Sequence, residues 1–114
     1  MVEYWYLSVP ITHSDPEVVK QRCEAATKLC GNFWDAEIYV FSPATHSVAL
    51  RDRGYLQNTL HNELVAFDLA LLKGAAGMYV LTLPGWQESL GVQEEIKFAL
   101  DNKIDIVYWP EKWL

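Results

Sequence analysis

The chain has 114 residues, about half of them apolar, and a formal net charge of −6. One ordinary domain has this length, and the apolar fraction is large enough for a hydrophobic core without disulfides. The negative charge argues against a nucleic-acid partner, and no apolar run is long enough to span a membrane. Residues 1–5 also lack the basic start of a signal peptide. We therefore expect one cytoplasmic domain over residues 1–114.

Two cysteines, Cys23 and Cys30, lie seven positions apart in one predicted helix. At a rise of about 1.5 Å per residue, their Cα atoms are roughly 10 Å apart. A disulfide needs less than about 7 Å, so we expect free thiols in a reducing compartment. The sequence has no Cys-x-x-Cys pair and no cluster of histidine and cysteine, so a zinc site is not expected.

The first predicted strand covers residues 4–9, which are aromatic and β-branched, and it ends at Pro10. A helix follows, and residues 14–17 predict a capping box at its start, with Ser14 as the N-cap. Gly31 predicts the end of this helix, just after Cys30.

The rest of the chain continues the alternation of strands and helices. The remaining predicted elements are a strand at 37–41, a long loop at 44–57, a helix at 58–73, a strand at 78–83, a helix at 89–102 and a strand at 104–108. A loop of that length in a compact domain is usually functional or mobile.

This alternation predicts a parallel sheet covered by helices on both faces. We expect a three-layer α-β-α fold of the flavodoxin-like or Rossmann-like kind, with four or five strands. In such folds ligands bind at the carboxyl ends of the strands, near the point where the strand order reverses. The segments that predict a site are therefore residues 8–14, 42–47 and 83–95.

Two carboxylates stand out within apolar surroundings. Asp68 interrupts the apolar run 65–72, where a carboxylate needs a partner or a function, unless it leans into solvent. Glu95 falls beside Val92 and Ala99 at the edge of an apolar helix face. It also lies in the first turn of that helix, so it is either a functional group or a glutamate that suits the helix dipole.

Polar residues near the strand ends are weaker candidates. Ser89 is placed to cap the last helix, or to hold a phosphate or hydroxyl at the helix N-terminus. His46 and Ser47 follow the second strand in the predicted loop; loop histidines usually lie at the surface, but this position favours a site. Tyr6 is a core residue or stacks a base, and Glu94 belongs to a solvated charge row.

Three segments together resemble the nucleoside 2-deoxyribosyltransferase superfamily, which includes the 2′-deoxynucleoside 5′-monophosphate N-glycosidases. They are YLSVPIT at 6–12, FDL at 67–69 and LPGWQESLGVQEEI at 83–96. SPATHS at 42–47 and LPGW at 83–86 are most similar to an uncharacterised bacterial and phage branch of that superfamily. The resemblance covers nearly the whole chain.

The resemblance implies a function for each matching residue. Glu95 matches the nucleophilic glutamate, and Asp68 matches an aspartate that assists near the leaving base or the sugar. Serine at the position of Ser89 accompanies recognition of a 5′-phosphate, and Tyr6 matches a tyrosine that lines the site. The substrate-binding residues we expect are Tyr6, Ser8, Thr12, His46, Ser47, Ser89 and Gly91.

Two positions depart from the family pattern. Gln93 stands where glycine is usual, and the first loop, residues 9–13, has no arginine for a phosphate. Thr12, Ser14 or the 46–47 segment would then have to bind the phosphate.

The resemblance implies an enzyme that cleaves the N-glycosyl bond of a nucleotide or nucleoside, with hydrolysis slightly preferred over base transfer. The alternatives are a non-catalytic nucleotide or small-metabolite binder on the same fold, and a scaffold protein that uses its tryptophan-rich tail. Superfamily sites are commonly built between subunits, so a homo-oligomer, at least a dimer, is also expected.

Overall fold

A computed structural model describes residues 2–114. The elements, in chain order, are β1 (Trp5–Ser8), α1 (Pro16–Asp35), β2 (Val40–Phe41), α2 (Pro43–Asp52), α3 (His61–Lys73), β3 (Gly77–Thr82), α4 (Leu90–Asp101), β4 (Ile106–Pro110) and a 3₁₀ helix (Glu111–Trp113). Among the helices within residues 2–114, none combines the length and the apolar character needed to cross a membrane.

The four strands form one parallel sheet in the order β2-β1-β3-β4. This confirms the predicted α/β fold with a short parallel sheet. From β1 the chain moves outward to β2 and then returns past β1 to β3. The strand order therefore reverses between β1 and β3, and the crevice at their carboxyl ends is where this topology places a ligand.

Helices cover both faces of the sheet, and alternate residues of each strand point to opposite faces. On one face, Leu7 and Leu81 pack with Leu29 and Phe33 of α1. On the other, a second apolar cluster joins β1 and β3 to α3 and α4; its buried members are Tyr6, Leu72, Met78, Val80, Val92 and Ala99. The sheet is thus the middle layer of three.

Helix α1 begins one residue later and ends five residues later than predicted. Asp15 is its N-cap and accepts a hydrogen bond from the Glu17 backbone N–H at 2.9 Å, so the prediction of Ser14 is wrong. The helix also continues through Gly31 to Asp35. The cause is packing, because burial of Phe33 against the core outweighs the cost of one glycine inside a helix.

Residues 44–57 were predicted to form a loop, but most of them belong to α2. Ser42 caps this helix by accepting a hydrogen bond from the Thr45 backbone N–H at 3.3 Å, and Pro43 occupies its first turn. Serine followed by proline is also a typical helix start, because proline has no N–H to satisfy there. Ala44 is buried against the core, which anchors the helix.

The remaining predictions differ at the element ends. The second strand is only Val40–Phe41, and β4 includes Trp109 and Pro110, which lie beyond the last predicted strand, 104–108. These two residues pair with Leu81 and Thr82 of β3. Both cysteines are free.

Candidate functional site at the carboxyl ends of β1 and β3

Two hydroxyl groups on β1 hold the carboxylate of Glu95. Tyr6 and Ser8 are two residues apart on a strand and therefore share the face that α4 covers. The Ser8 hydroxyl donates to Oε1 of Glu95 at 2.7 Å, and the Tyr6 hydroxyl donates to Oε2. Both hydroxyl-bearing side chains are fully buried, so each oxygen of the carboxylate has one fixed partner.

The position of Glu95 on α4 follows from helix periodicity. Val92 and Ala99, which precede and follow it by three and four positions, are buried against the sheet. A residue at this spacing lies on the same helix face. Ser89 caps the helix by accepting a hydrogen bond from the Val92 backbone N–H at 3.3 Å. The cap and the apolar stripe together place the glutamate over β1.

The surroundings of Glu95 favour the protonated form of its carboxyl group more than water does. Burial raises the pKa of Glu95 to about 7, and the nearby charges of Asp68 and Glu94 add to this rise. The hydrogen bonds from Ser8 and Tyr6 act in the opposite direction, because they stabilise the anion. The carboxylate therefore changes its charge near neutral pH.

Asp68 is the second carboxylate of the site. It lies on α3, and burial raises its pKa to about 6, while the positive charge of His46 partly opposes that rise. Asp68 and Glu95 line the same cleft, which has a volume of about 510 Å³. The negative charge of Asp68 also adds to the rise in the pKa of Glu95, so ionisation of Asp68 makes ionisation of Glu95 more costly.

Three of the expected substrate-binding residues line this cleft: Thr12, Ser89 and Gly91. The Ser89 hydroxyl oxygen is used by the helix cap, but its proton remains available to a ligand. A side chain at Gly91 would meet no atom within 4 Å, so the fold itself does not require glycine there. Tyr6 and Ser8 act through Glu95 rather than by lining the cleft.

His46 and Ser47 are placed differently from the prediction. Both lie on α2 instead of a loop, because Ser42 and Pro43 start a helix there. The Ser47 hydroxyl donates to the Pro43 carbonyl at 2.9 Å and does not line the cleft. His46 lies against Phe67, with ring centroids 6.1 Å apart, and reaches the site only through its charge.

Sequence reasoning missed other residues of the cleft. His61 at the start of α3 and Glu88 before α4 line it, and so does Glu94, which was interpreted as part of a solvated row. Lys97 and Asp101 are the other two residues of that row, and they form an ion pair at 3.5 Å. Helical spacing alone does not identify Glu94 as a cleft residue, because its side chain is exposed and lies outside the buried stripe of α4.

Arg22 on α1 was also missed, although it joins the two loops that border the site. Its Nη1 donates to the Thr12 carbonyl at 3.0 Å, and its Nη2 donates to the Pro84 carbonyl at 2.9 Å. A Cβ at Gly85 would lie only 2.6 Å from Nη2, so glycine allows this close approach. Arg22 is buried, and within residues 2–114 no carboxylate is in ion-pair distance of it.

The signal for Arg22 was present in the sequence. It shares a helix face with Ala26, Leu29 and Phe33, which are the buried residues of α1. The apolar residues alone predict a different stripe, Val19, Cys23, Ala26 and Cys30, which shares only Ala26 with the buried face and excludes the arginine. An arginine at 4-3-4 spacing with apolar residues predicts a guanidinium that is buried against backbone carbonyls.

The site can carry out nucleophilic and acid–base chemistry. A carboxylate whose two oxygens are fixed can attack an electrophilic carbon in a defined direction, and a second carboxylate can exchange a proton. Within the described residues, 2–114, no three histidine, cysteine, aspartate or glutamate side chains are grouped closely enough to hold a metal ion.

Comparison with known proteins gives a family but not an activity. No curated protein matches this chain. The model of one family, described as a domain of unknown function (DUF1937), matches residues 3–111, and the chain therefore belongs to that family.

Proposed function

We propose that the protein cleaves the N-glycosyl bond of a (deoxy)nucleotide or nucleoside, with Glu95 as the nucleophile. The observation that carries this proposal is the Glu95 carboxylate, held by Tyr6 and Ser8 beside Asp68 in one cleft. The resemblance to the nucleoside 2-deoxyribosyltransferase superfamily supports the same roles for Glu95 and Asp68. No residue role in the proposal requires a metal or cofactor.

In the first step, a Glu95 oxygen attacks C1′ of the sugar and forms a glycosyl ester. The bond from C1′ to the base nitrogen breaks through an oxocarbenium-like transition state. Its electron pair goes to the base, which takes a proton from Asp68 or from a water that Asp68 holds. The base leaves, and Asp68 or its water has lost one proton.

In the second step, water attacks C1′ and its proton returns to the Asp68 side. The ester bond breaks, and the electron pair returns to the Glu95 carboxylate. The hydroxyls of Tyr6 and Ser8 stabilise that returning charge, as they do in the free protein. Two displacements at C1′ retain its configuration. With a second base in place of water, the same step transfers the sugar; we place hydrolysis slightly ahead.

The substrate orientation in this proposal follows from the charges of the cleft. A 5′-phosphate is disfavoured next to Asp68 and Glu95, because like charges repel. Thr12 and Ser89, which line the cleft and carry hydroxyl donors, are therefore assigned to the 5′ end of the sugar. The free thiols of Cys23 and Cys30 fit a reducing compartment, and we propose a cytoplasmic location on that ground.

The test is release of free base from a panel of nucleosides and nucleoside 5′-monophosphates, followed by chromatography with and without an added acceptor base. Wild type should release base from at least one member, and Glu95→Gln should not. Glu94→Gln is the matched control, since Glu94 lines the same cleft without being held by the two hydroxyls. Equal release by wild type and Glu95→Gln would overturn the assignment.

The second candidate is a nucleotide or small-metabolite binder on the same fold. The departures from the superfamily pattern in the first loop and at Gln93 favour it, because a chain can keep the fold and the cleft without the reaction of its relatives. Binding of a panel member without base release, by wild type and Glu95→Gln alike, would support this candidate over the enzyme.

A further inference from the structure

Strand β4 forms one edge of the sheet, and within residues 2–114 no strand pairs with its outer side. The Met78 N–H donates to the Asp105 carbonyl at 2.8 Å, so the backbone of Asp105 points inward, toward β3. Backbone groups alternate in direction along a strand, so Val107 and Trp109 also point inward. The N–H and C=O groups of Ile106 and Tyr108 therefore point away from the sheet.

This edge lacks the features that usually prevent pairing. Residues 106–109 contain no charged residue and no proline, and β4 pairs with β3 in continuous register without a bulge. Pro110 is only the last residue of the strand. An edge of this kind is a template for another strand.

Exposed apolar side chains flank the edge on both faces of the sheet. Val107 is 38% exposed and Tyr108 is 46% exposed, and as neighbours on a strand they point to opposite faces. Trp113 is 53% exposed and packs on Trp109, with ring centroids 5.1 Å apart, on the face of Val107. A strand added at this edge would cover apolar surface above and below the sheet.

We propose that β4 pairs antiparallel with β4 of a second copy of this chain, with Val107 on the two-fold axis. In this register Ile106 lies opposite Tyr108 of the second copy. Each such pair exchanges two N–H···O bonds through the backbone groups that point outward, and the axis generates the pair twice. The two Val107 side chains meet on one face, and Tyr108 meets Ile106 on the other.

Neighbouring registers are less favourable. With Tyr108 on the axis, Ile106 would face Pro110, which has no N–H to donate, and Asp105 would face the like-charged Glu111. With Ile106 on the axis, the pairing would need the N–H of Ile104, which already donates to the Ala99 carbonyl at 2.8 Å.

Charge complementarity favours the Val107 register and a second copy as the occupant. Lys103 precedes Val107 by four residues and Glu111 follows it by four. Both residues lie just outside β4, Lys103 in the preceding turn and Glu111 in the 3₁₀ helix that follows, so the two-fold axis brings the end of β4 that Lys103 precedes to the end that Glu111 follows in the other copy. A self-complementary edge is what a symmetric dimer requires.

The first test measures the mass of the purified chain by sedimentation velocity at micromolar concentration. Wild type should be a dimer, and Val107→Lys should be a monomer, because it places two ammonium groups together at the axis. Tyr39→Lys is the matched control, since Tyr39 is 41% exposed next to the opposite edge strand, β2, and this variant should remain a dimer. Circular dichroism verifies that each variant is folded.

A monomeric wild type, or a folded Val107→Lys that is still a dimer, would overturn the proposal.

The second test addresses the register by exchanging charges. Lys103→Glu should weaken the dimer about tenfold, since two attractive pairs become repulsive. Adding Glu111→Lys should restore the wild-type dissociation constant. A double variant that dissociates as readily as Lys103→Glu alone would contradict the Val107 register.

Discussion

The two faces of the sheet carry different kinds of side chain. The face under α1 is filled by apolar and aromatic side chains, in which Phe33 stacks on Tyr79 with ring centroids 4.7 Å apart. The face under α3 and α4 also has an apolar cluster, but Tyr6, Ser8 and Glu95 add a hydrogen-bonded polar group at its carboxyl end. The first face supports the fold, and the second combines support with a half-buried carboxylate whose ionisation is costly.

The largest expected effect concerns the polar face. Glu95→Gln removes the attacking oxygen anion, so the rate of base release should fall by at least about 10³-fold, as for loss of a nucleophile that no other group replaces. Glu94→Gln should stay within a few-fold of wild type. Turnover should be measured at saturating substrate, so that binding and chemistry separate. A Glu95→Gln variant that retains full turnover would show that the face under α3 and α4 does not carry the catalytic nucleophile.

The apolar face should instead respond in stability. Phe33→Ala deletes a buried ring that contacts Tyr79 and Trp109, and about 3–5 kcal/mol of unfolding free energy should be lost. Urea denaturation followed by fluorescence measures this loss. The fraction that remains folded should release base at the wild-type rate. A reduced rate per folded molecule would show that the two faces are coupled.

The half-buried carboxylate of Glu95 should make the fold less stable as the pH rises. Because the pKa of Glu95 is about 7 in the folded chain and near 4.5 in a free side chain, the folded state holds its proton more tightly between these values. The stabilisation that follows from the raised pKa of Glu95 is fully present below about pH 4.5 and is lost as the pH rises through about 7.

Glu95→Gln should therefore stabilise the protein at pH 8, by at most about 3 kcal/mol, and have little effect at pH 4. Thermal unfolding at the two pH values measures the difference, with Glu88→Gln, which changes an exposed glutamate of the same cleft, as the control. A Glu95→Gln variant that is less stable than wild type at pH 8 would mean that the ionised carboxylate supports the fold.

A smaller effect is expected in the pH profile of kcat/KM. Glu95 must be ionised to attack and Asp68 must be protonated to assist, while their pKa values are about 7 and about 6. Both conditions are met in only a minority of molecules, so the profile should be bell-shaped, with its maximum between about pH 6 and 7. The falling limb reports the higher of the two pKa values, which is that of Glu95. Ser8→Ala removes a hydrogen bond that lowers the pKa of Glu95, so the falling limb should move to higher pH and the maximum should decrease. An unchanged limb would exclude Glu95 as its origin.

The sequence predicted the layers of the fold better than the details of the site. Strand and helix alternation predicted the parallel sheet, because each apolar segment had a clear period. The 44–57 segment was assigned to a loop because Ser42-Pro43 suits both a strand end and a helix start, and only the burial of Ala44 decides between them. That is a tertiary contact, which local patterns do not contain.

In the candidate site, too, local patterns were predictable and tertiary contacts were not. Helical spacing placed Glu95 and Asp68 near apolar faces, and the structure places both in one cleft. The hydroxyls of Tyr6 and Ser8 are 89 and 87 positions away from Glu95 in the chain, so their hydrogen bonds were not predictable from local spacing. Arg22 joins Thr12 to Pro84 across a similar distance in sequence, and its role depends on two loops that meet only in the folded chain.

The central claim is that the carboxylate of Glu95 becomes covalently bonded to the sugar. The most direct measurement is mass spectrometry of the protein after acid quench, within milliseconds of mixing with the substrate that releases base most rapidly. The account predicts an added mass equal to the sugar, or sugar phosphate, without its base, on the peptide that contains Glu95. Base release by wild type with no such adduct in any quenched sample, or an adduct on a different residue, would contradict it.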